Sequence, residues 1–306
     1  MIEYVEVVND DKRLKMILTQ PEESGYAIEK IDGLGPTDAS INLTKISSSD
    51  VQLFNSASLG ERNITMSIIP YVLSGERDIE DLRLGLYSIF PTKKDITLYF
   101  KTKNRYVYIN GYVESNEPDI FSENEKVNIS IICADPFFYD VETGSNTEEF
   151  AGTVKNFKFP FCNPSLTEKK IVFGLITHHA DNVFNYPGEY ETGFNITIHL
   201  DGDVIDPVIY DVKYEQQLKL LSSKIESICG TGLKAGDTIY ICTIPSKKSI
   251  ILVKNAVLYN ILDSMDIRVS EWLTLKPGEN TYTINASSGS YHMEVKYDYT
   301  VSYGGI

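Results

Sequence analysis

The chain has 306 residues, 42% of them hydrophobic, enough for packed cores and too many for a disordered chain. Its formal charge is −15, from 43 acidic against 28 basic residues, with no block of like charge. That balance excludes a sequence-specific nucleic-acid reader, which needs a basic stripe, and the length calls for two domains rather than one core.

The N-terminus, MIEYVEVVNDDKR, lacks a basic region followed by an apolar stretch, so no secretory leader is expected. No segment approaches the roughly 20 apolar residues of a membrane span, so no membrane insertion is expected either. The four cysteines, Cys133, Cys162, Cys229 and Cys242, form no C-x-x-C pair. They are read as buried or strand-end thiols rather than a disulfide framework or zinc site. Twenty tyrosines and 13 phenylalanines, many in alternating runs, favour strands.

Taken in chain order, YVEVV (4–8) and RLKMILT (13–19) flank a turn at Asn9–Lys12 and predict a hairpin. Alternation continues through 26–35 and 38–46, where Ala39, Ile41 and Leu43 share a side. A Ser-rich loop is expected over 47–60, then a strand from Arg62 that turns Ile64, Met66 and Ile68 to a core. Glu61 and Arg62 point to opposite faces if that strand has begun, which leaves them free to contact a neighbouring loop or subunit.

The period then changes. Ile79, Leu82, Leu86, Ile89 and Phe90 make a helical stripe over 78–90, with Asp78 as N-cap, Asp81 near the positive end and Pro91 as the stop. Gly85 weakens that helix. Strands resume at 95–101, 105–115 and 125–136, with a hairpin tip at Lys103-Asn104. The polar stretch after Asp140 marks a domain crossing. The second half alternates throughout, including 169–177, 191–200, 206–212, 236–244, 248–253, 280–287 and 291–303.

The expected architecture is mainly β. Residues 1–140 form a β-sandwich or barrel-like domain with one α-helix, 141–156 a linker, and 157–306 a C-terminal jelly-roll β-sandwich of galectin or carbohydrate-module type.

Candidate chemistry is thin. Asp201-Gly202-Asp203, with Asp206, lacks the register and distal glutamate of a calcium loop and reads as a solvated turn. His178-His179, near Asp181, point to opposite faces of a strand; the remaining histidines, His199 and His292, complete no ligand spacing. No G-x-S-x-G elbow or Cys/His arrangement is present, and GLGPTD (33–38) leads into a strand, not the helix start that cradles phosphate. Trp272, the single tryptophan, is either core or a platform for a sugar or a partner. Glu61 is marked out by no catalytic motif. No catalytic, cofactor-binding or metal-binding residues are expected, and no enzyme activity.

Four stretches together resemble one family. They are GLGPTDASINLTKISSSDVQLFNSASLGERNITMSI (33–68), the helix end with LYSIFPTKKDITLYF (86–100) and YINGYVES (108–115), ISIICADPFFYD (129–140), and YPGEYETGFNITI, DPVIY, GDTIYICT and WLTLKPGENTYTI between 186 and 284. In this order they are similar to the distal tail proteins (Dit) of long-tailed bacteriophages, and the likeness runs through nearly the whole chain. The resemblance implies a structural protein of the virion tail, assembled in the bacterial cytoplasm. It implies a hexameric ring built by the N-terminal domain, which joins the tail tube protein to the tail-associated hub protein. It also implies an outward C-terminal sandwich that anchors receptor-binding proteins in some members. A glycan-recognising tail module, a tail-associated hydrolase, and a baseplate part of a contractile tail or phage-like bacteriocin are the alternatives.

Overall fold

The computed structural model describes residues 2–9, 11–47, 50–72, 78–121, 125–141, 146–150, 152–155, 174–177 and 181–306. The chain forms two compact units, residues 1–144 with 302–306, and residues 145–301.

The first unit runs β1 (Ile2–Asn9), β2 (Leu14–Ile17), α1 (Pro21–Ser24), β3 (Tyr26–Asp32), β4 (Ala39–Lys45), β5 (Gln52–Leu59), β6 (Arg62–Pro70), α2 (Ile79–Ile89), β7 (Asp95–Thr102), β8 (Tyr106–Asp119), β9 (Lys126–Cys133) and β10 (Phe138–Asp140). Its main sheet has the order β2-β1-β7-β8-β9-β6-β3. The pairings are antiparallel, and β2 and β3 end the path. Period-two alternation sends Val5, Val7, Ile64, Met66, Ile68, Leu98, Phe100, Val107 and Ile109 into one core. Helix α2 closes that core with Leu82, Leu86 and Ile89, and Phe90 follows inward just past its end. Asp78 is the N-cap by backbone position, without a side-chain cap bond.

Gly85 has a packing reason. A Cβ there would meet the Tyr26 hydroxyl at 2.5 Å, and that hydroxyl donates to Leu82 O at 2.9 Å. The glycine lets a tyrosine bind the helix backbone from the side.

The second unit runs β11 (Asn146–Phe150), β12 (Gly152–Lys155), β13 (Gly174–Thr177), β14 (Asp181–Tyr186), β15 (Asn195–Leu200), β16 (Ile205–Asp211), β17 (Gln216–Lys219), α3 (Ser222–Cys229), β18 (Thr238–Cys242), β19 (Ser249–Lys254), β20 (Val257–Asn260), β21 (Gly278–Ser288) and β22 (Met293–Tyr299). Sheets β11-β22-β15-β18-β19-β20 and β14-β21-β16-β17 pack face to face. Their shared core is aromatic: Tyr282 on one sheet lies 5.7 Å from Tyr297 on the other, with Phe184 and Phe194 against both. A last strand, β23 (Ser302–Tyr303), pairs with β10 and belongs to the first unit.

The mainly β architecture is as expected, with differences in detail. Helices α1 and α3 join α2, so the chain is not limited to one helix. The stretch 141–156 contains strands β11 and β12, paired with β22 and β13, where a linker was expected. Residues 302–306 lie in the first unit rather than the sandwich. The expected loop 47–60 holds β5. His178, His179 and Cys162 lie outside the described residues, as does most of the expected strand 169–177.

Candidate assembly site

Strands β4 and β5 pair only with each other among the described residues, so their outer edges carry no ladder. Opposed residues of an antiparallel pair share a face. Ala39 pairs with Leu59, Ile41 with Ala57 and Leu43 with Phe54, which makes one face apolar. Ser40 pairs with Ser58 and Asn42 with Ser56, and Asn55 Nδ2 donates to Thr44 Oγ1 at 2.6 Å, which makes the other face largely polar. The apolar face is bare: Ile41 is 60% exposed, Leu43 48% and Phe54 65%. An isolated two-stranded ribbon is marginal in water, and open strand edges invite pairing. This arm therefore wants a cover.

Strand β4 was expected, but β5 was hidden from sequence reading by a bulge. The register shifts between Asn42 and Leu43, so Phe54 and Ala57, three residues apart, fall on one side. Without strict alternation, the serines of 47–60 read as loop.

The root of the arm is held by Arg62. Its side chain is 1% exposed, on the core face with Ile64. Nε donates to Pro136 O at 2.7 Å, Nη1 to Gly33 O at 2.6 Å and Gly35 O at 2.5 Å, and Nη2 to Gly304 O at 2.6 Å. The guanidinium lies 4.5 Å from the Phe138 ring centre. The planar fork thus ties three backbone segments to the start of β6. Gly33, at φ +85°, lets its segment run close against the backbone of β6, since a Cβ would meet Asn63 O at 2.1 Å. Glu61 faces outward instead, beside a hollow of about 560 Å³ lined also by Asp38, Gly60 and Asn63. The two residues point apart as expected, but Arg62 serves its own unit. Period two already placed it on the core face.

The other marked residues have structural partners. Asp201 Oδ1 lies 2.6 Å from His292 Nδ1, and His199 Nδ1 lies 3.0 Å from Thr238 Oγ1. Asp206 and Ser222 bond reciprocally: Asp206 Oδ1 accepts from Ser222 N at 2.8 Å, and Ser222 Oγ accepts from Asp206 N at 2.7 Å. This ties β16 to the start of α3. Burial pushes the Cys133 thiol up to about 12, against the opposing pull of Arg62. Burial also raises the Cys229 thiol. Trp272 is half-buried and lines a recess beside α3, with Lys248 Nζ 5.3 Å from its ring centre.

Residues 187–303 match the family described as siphovirus-type tail component, C-terminal domain. The crystal structure of the Dit protein of phage SPP1, described as a hub of the adsorption apparatus in phages infecting Gram-positive bacteria, shares the fold with a TM-score of 0.64 at 13% identity, over 97% of this chain and 98% of that one. The baseplate of phage P2 in its activated conformation with calcium aligns at a TM-score of 0.47 and 13% identity, over 97% and 98% of the two chains. No curated protein matches the chain. The class is therefore a mainly β protein whose residues 187–303 carry a siphovirus-type tail-component domain. Beyond residues 187–303, the chain shares the fold of the SPP1 Dit protein.

Proposed function

We propose that the chain forms a hexameric ring at the tail tip that joins the tail tube to the tail-associated hub protein. The first unit builds the ring, and the second projects toward receptor-binding components. The ring is assembled in the host cytoplasm and has no catalytic, cofactor or metal chemistry of its own. The observation that carries this reading is the bare apolar face of the β4–β5 arm. A closed ring of identical subunits gives every arm the same cover and leaves no free copy of it. Trp272 sits among aliphatic side chains rather than on an open platform, which favours protein contact over glycan stacking.

Light scattering after size exclusion, with negative-stain imaging, tests the proposal on the full chain. The expected result is a six-fold ring that Ile41→Asp with Phe54→Asp disperses into monomers of unchanged circular dichroism. A wild-type chain that stays monomeric at every concentration overturns it.

A further inference from the structure

The second unit carries a recess of about 620 Å³ that the ring does not require. Helix α3 forms one wall with Ile228, and the 262–272 segment forms the other with Leu262, Ile267 and Trp272. Ile267 is 81% exposed, Leu262 39% and Ile228 38%, so the recess gathers three open aliphatic groups around a half-buried indole. That is the composition of a protein-docking pocket, in which an aromatic anchor lies among aliphatic walls under a polar rim. Its size matches sites that take a small ligand or a pair of large side chains.

The charges at the mouth narrow the occupant. Lys224 lines the recess and is held there by donating from Nζ to Asp263 O at 2.9 Å, a backbone acceptor that leaves its charge uncompensated. Lys248 stands over the Trp272 ring. Neither amine has a carboxylate partner among the described residues, whereas nearby Arg268 is tied to Asp266 at 3.1 Å and Lys254 to Asp237 at 2.8 Å. Asp263 supplies the opposing carboxylate on the lining. The balance at the mouth is positive on a chain of formal charge −15.

We infer that this recess is a docking site for a segment of another protein that carries two large apolar side chains flanked by carboxylates. The apolar pair fills the space between Ile228, Leu262 and Ile267 against Trp272, and the carboxylates meet Lys224 and Lys248. Apolar burial supplies the affinity, and the lysines set orientation and preference. The inference does not depend on the ring.

Trp272 is the only tryptophan, so its fluorescence reports this site in the intact chain. The probes are two blocked hexapeptides with a central Leu-Phe pair, one flanked by glutamates and one by lysines. The glutamate peptide is expected to change the emission saturably, and the lysine peptide to bind at least about tenfold more weakly at low salt. Ile267→Asp, at an exposed position, abolishes the change without moving the thermal midpoint, and Lys224→Glu reverses the peptide preference. Equal binding of the two peptides, no saturable change with either, or a saturable change with chito-oligosaccharides in their place overturns the proposal.

Discussion

Arg62 shows how one charged side chain can be a framework element. Its bonds go to carbonyls of Gly33, Gly35, Pro136 and Gly304, on three segments that lie far apart in sequence. Replacing it by lysine keeps the charge and loses the fork, leaving carbonyls without donors. The expected cost is about 2–4 kcal/mol, read as an earlier urea transition of the first unit by circular dichroism. Trp272 fluorescence, which sits in the second unit, should not shift. A second prediction concerns Cys133, whose thiol is raised to about 12 in the fold. An unfolded thiol ionises near 8.5, so between about 9 and 12 the unfolded chain releases a proton that the native one keeps. Stability is therefore fully present below about pH 8.5 and falls as pH rises through that window. The Cys133→Ser variant should flatten the alkaline limb of a pH–stability curve.

At the scale of elements, α2 and the β4–β5 arm contrast. The helix stripe was legible because its apolar residues face a core in simple 3.6 spacing. Gly85 looked like a weakness, yet it is the place where Tyr26 reaches the helix. An ordinary helical Gly→Ala change gains up to about 1 kcal/mol. Here Gly85→Ala should instead cost about 1–2 kcal/mol through overpacking, and Tyr26→Phe in the same chain should relieve part of it, measured by chemical denaturation. Strand β4 of the arm was legible, with Ala39, Ile41 and Leu43 on one side, whereas β5 was illegible for the opposite reason. No core enforces its pattern, it carries serine and alanine, and one bulge breaks the alternation. Helix α3 was likewise missed, because only Ser222 and Ile225 of its eight residues are buried and no stripe betrays it.

For the whole molecule, the C-terminal residues matter out of proportion to their number. Arg62 and Arg105 hold the carbonyls of Gly304 and Gly305, Arg105 lies 4.1 Å from the Tyr303 ring centre, and Ile306 packs on the first core. Deleting 302–306 should lower the stability of the first unit by about 2–4 kcal/mol, from lost charged hydrogen bonds and apolar burial, while the Trp272 transition stays in place. Coincident shifts in both signals would count against this local account.

Sequence by itself determined the class of architecture: strands from period-two alternation, one helix from its stripe, and the face on which Ile64, Met66 and Ile68 lie. These are local periodicities, and burial against any core produces them. Tertiary structure decided what Arg62 binds, why Gly85 is a glycine, which unit owns residues 302–306, and that Phe54 shares a bare face with Leu43 and Ile41. Each of these depends on which distant segments meet, and a hydrogen bond spanning 242 residues or a register shift at a bulge leaves no period in the chain.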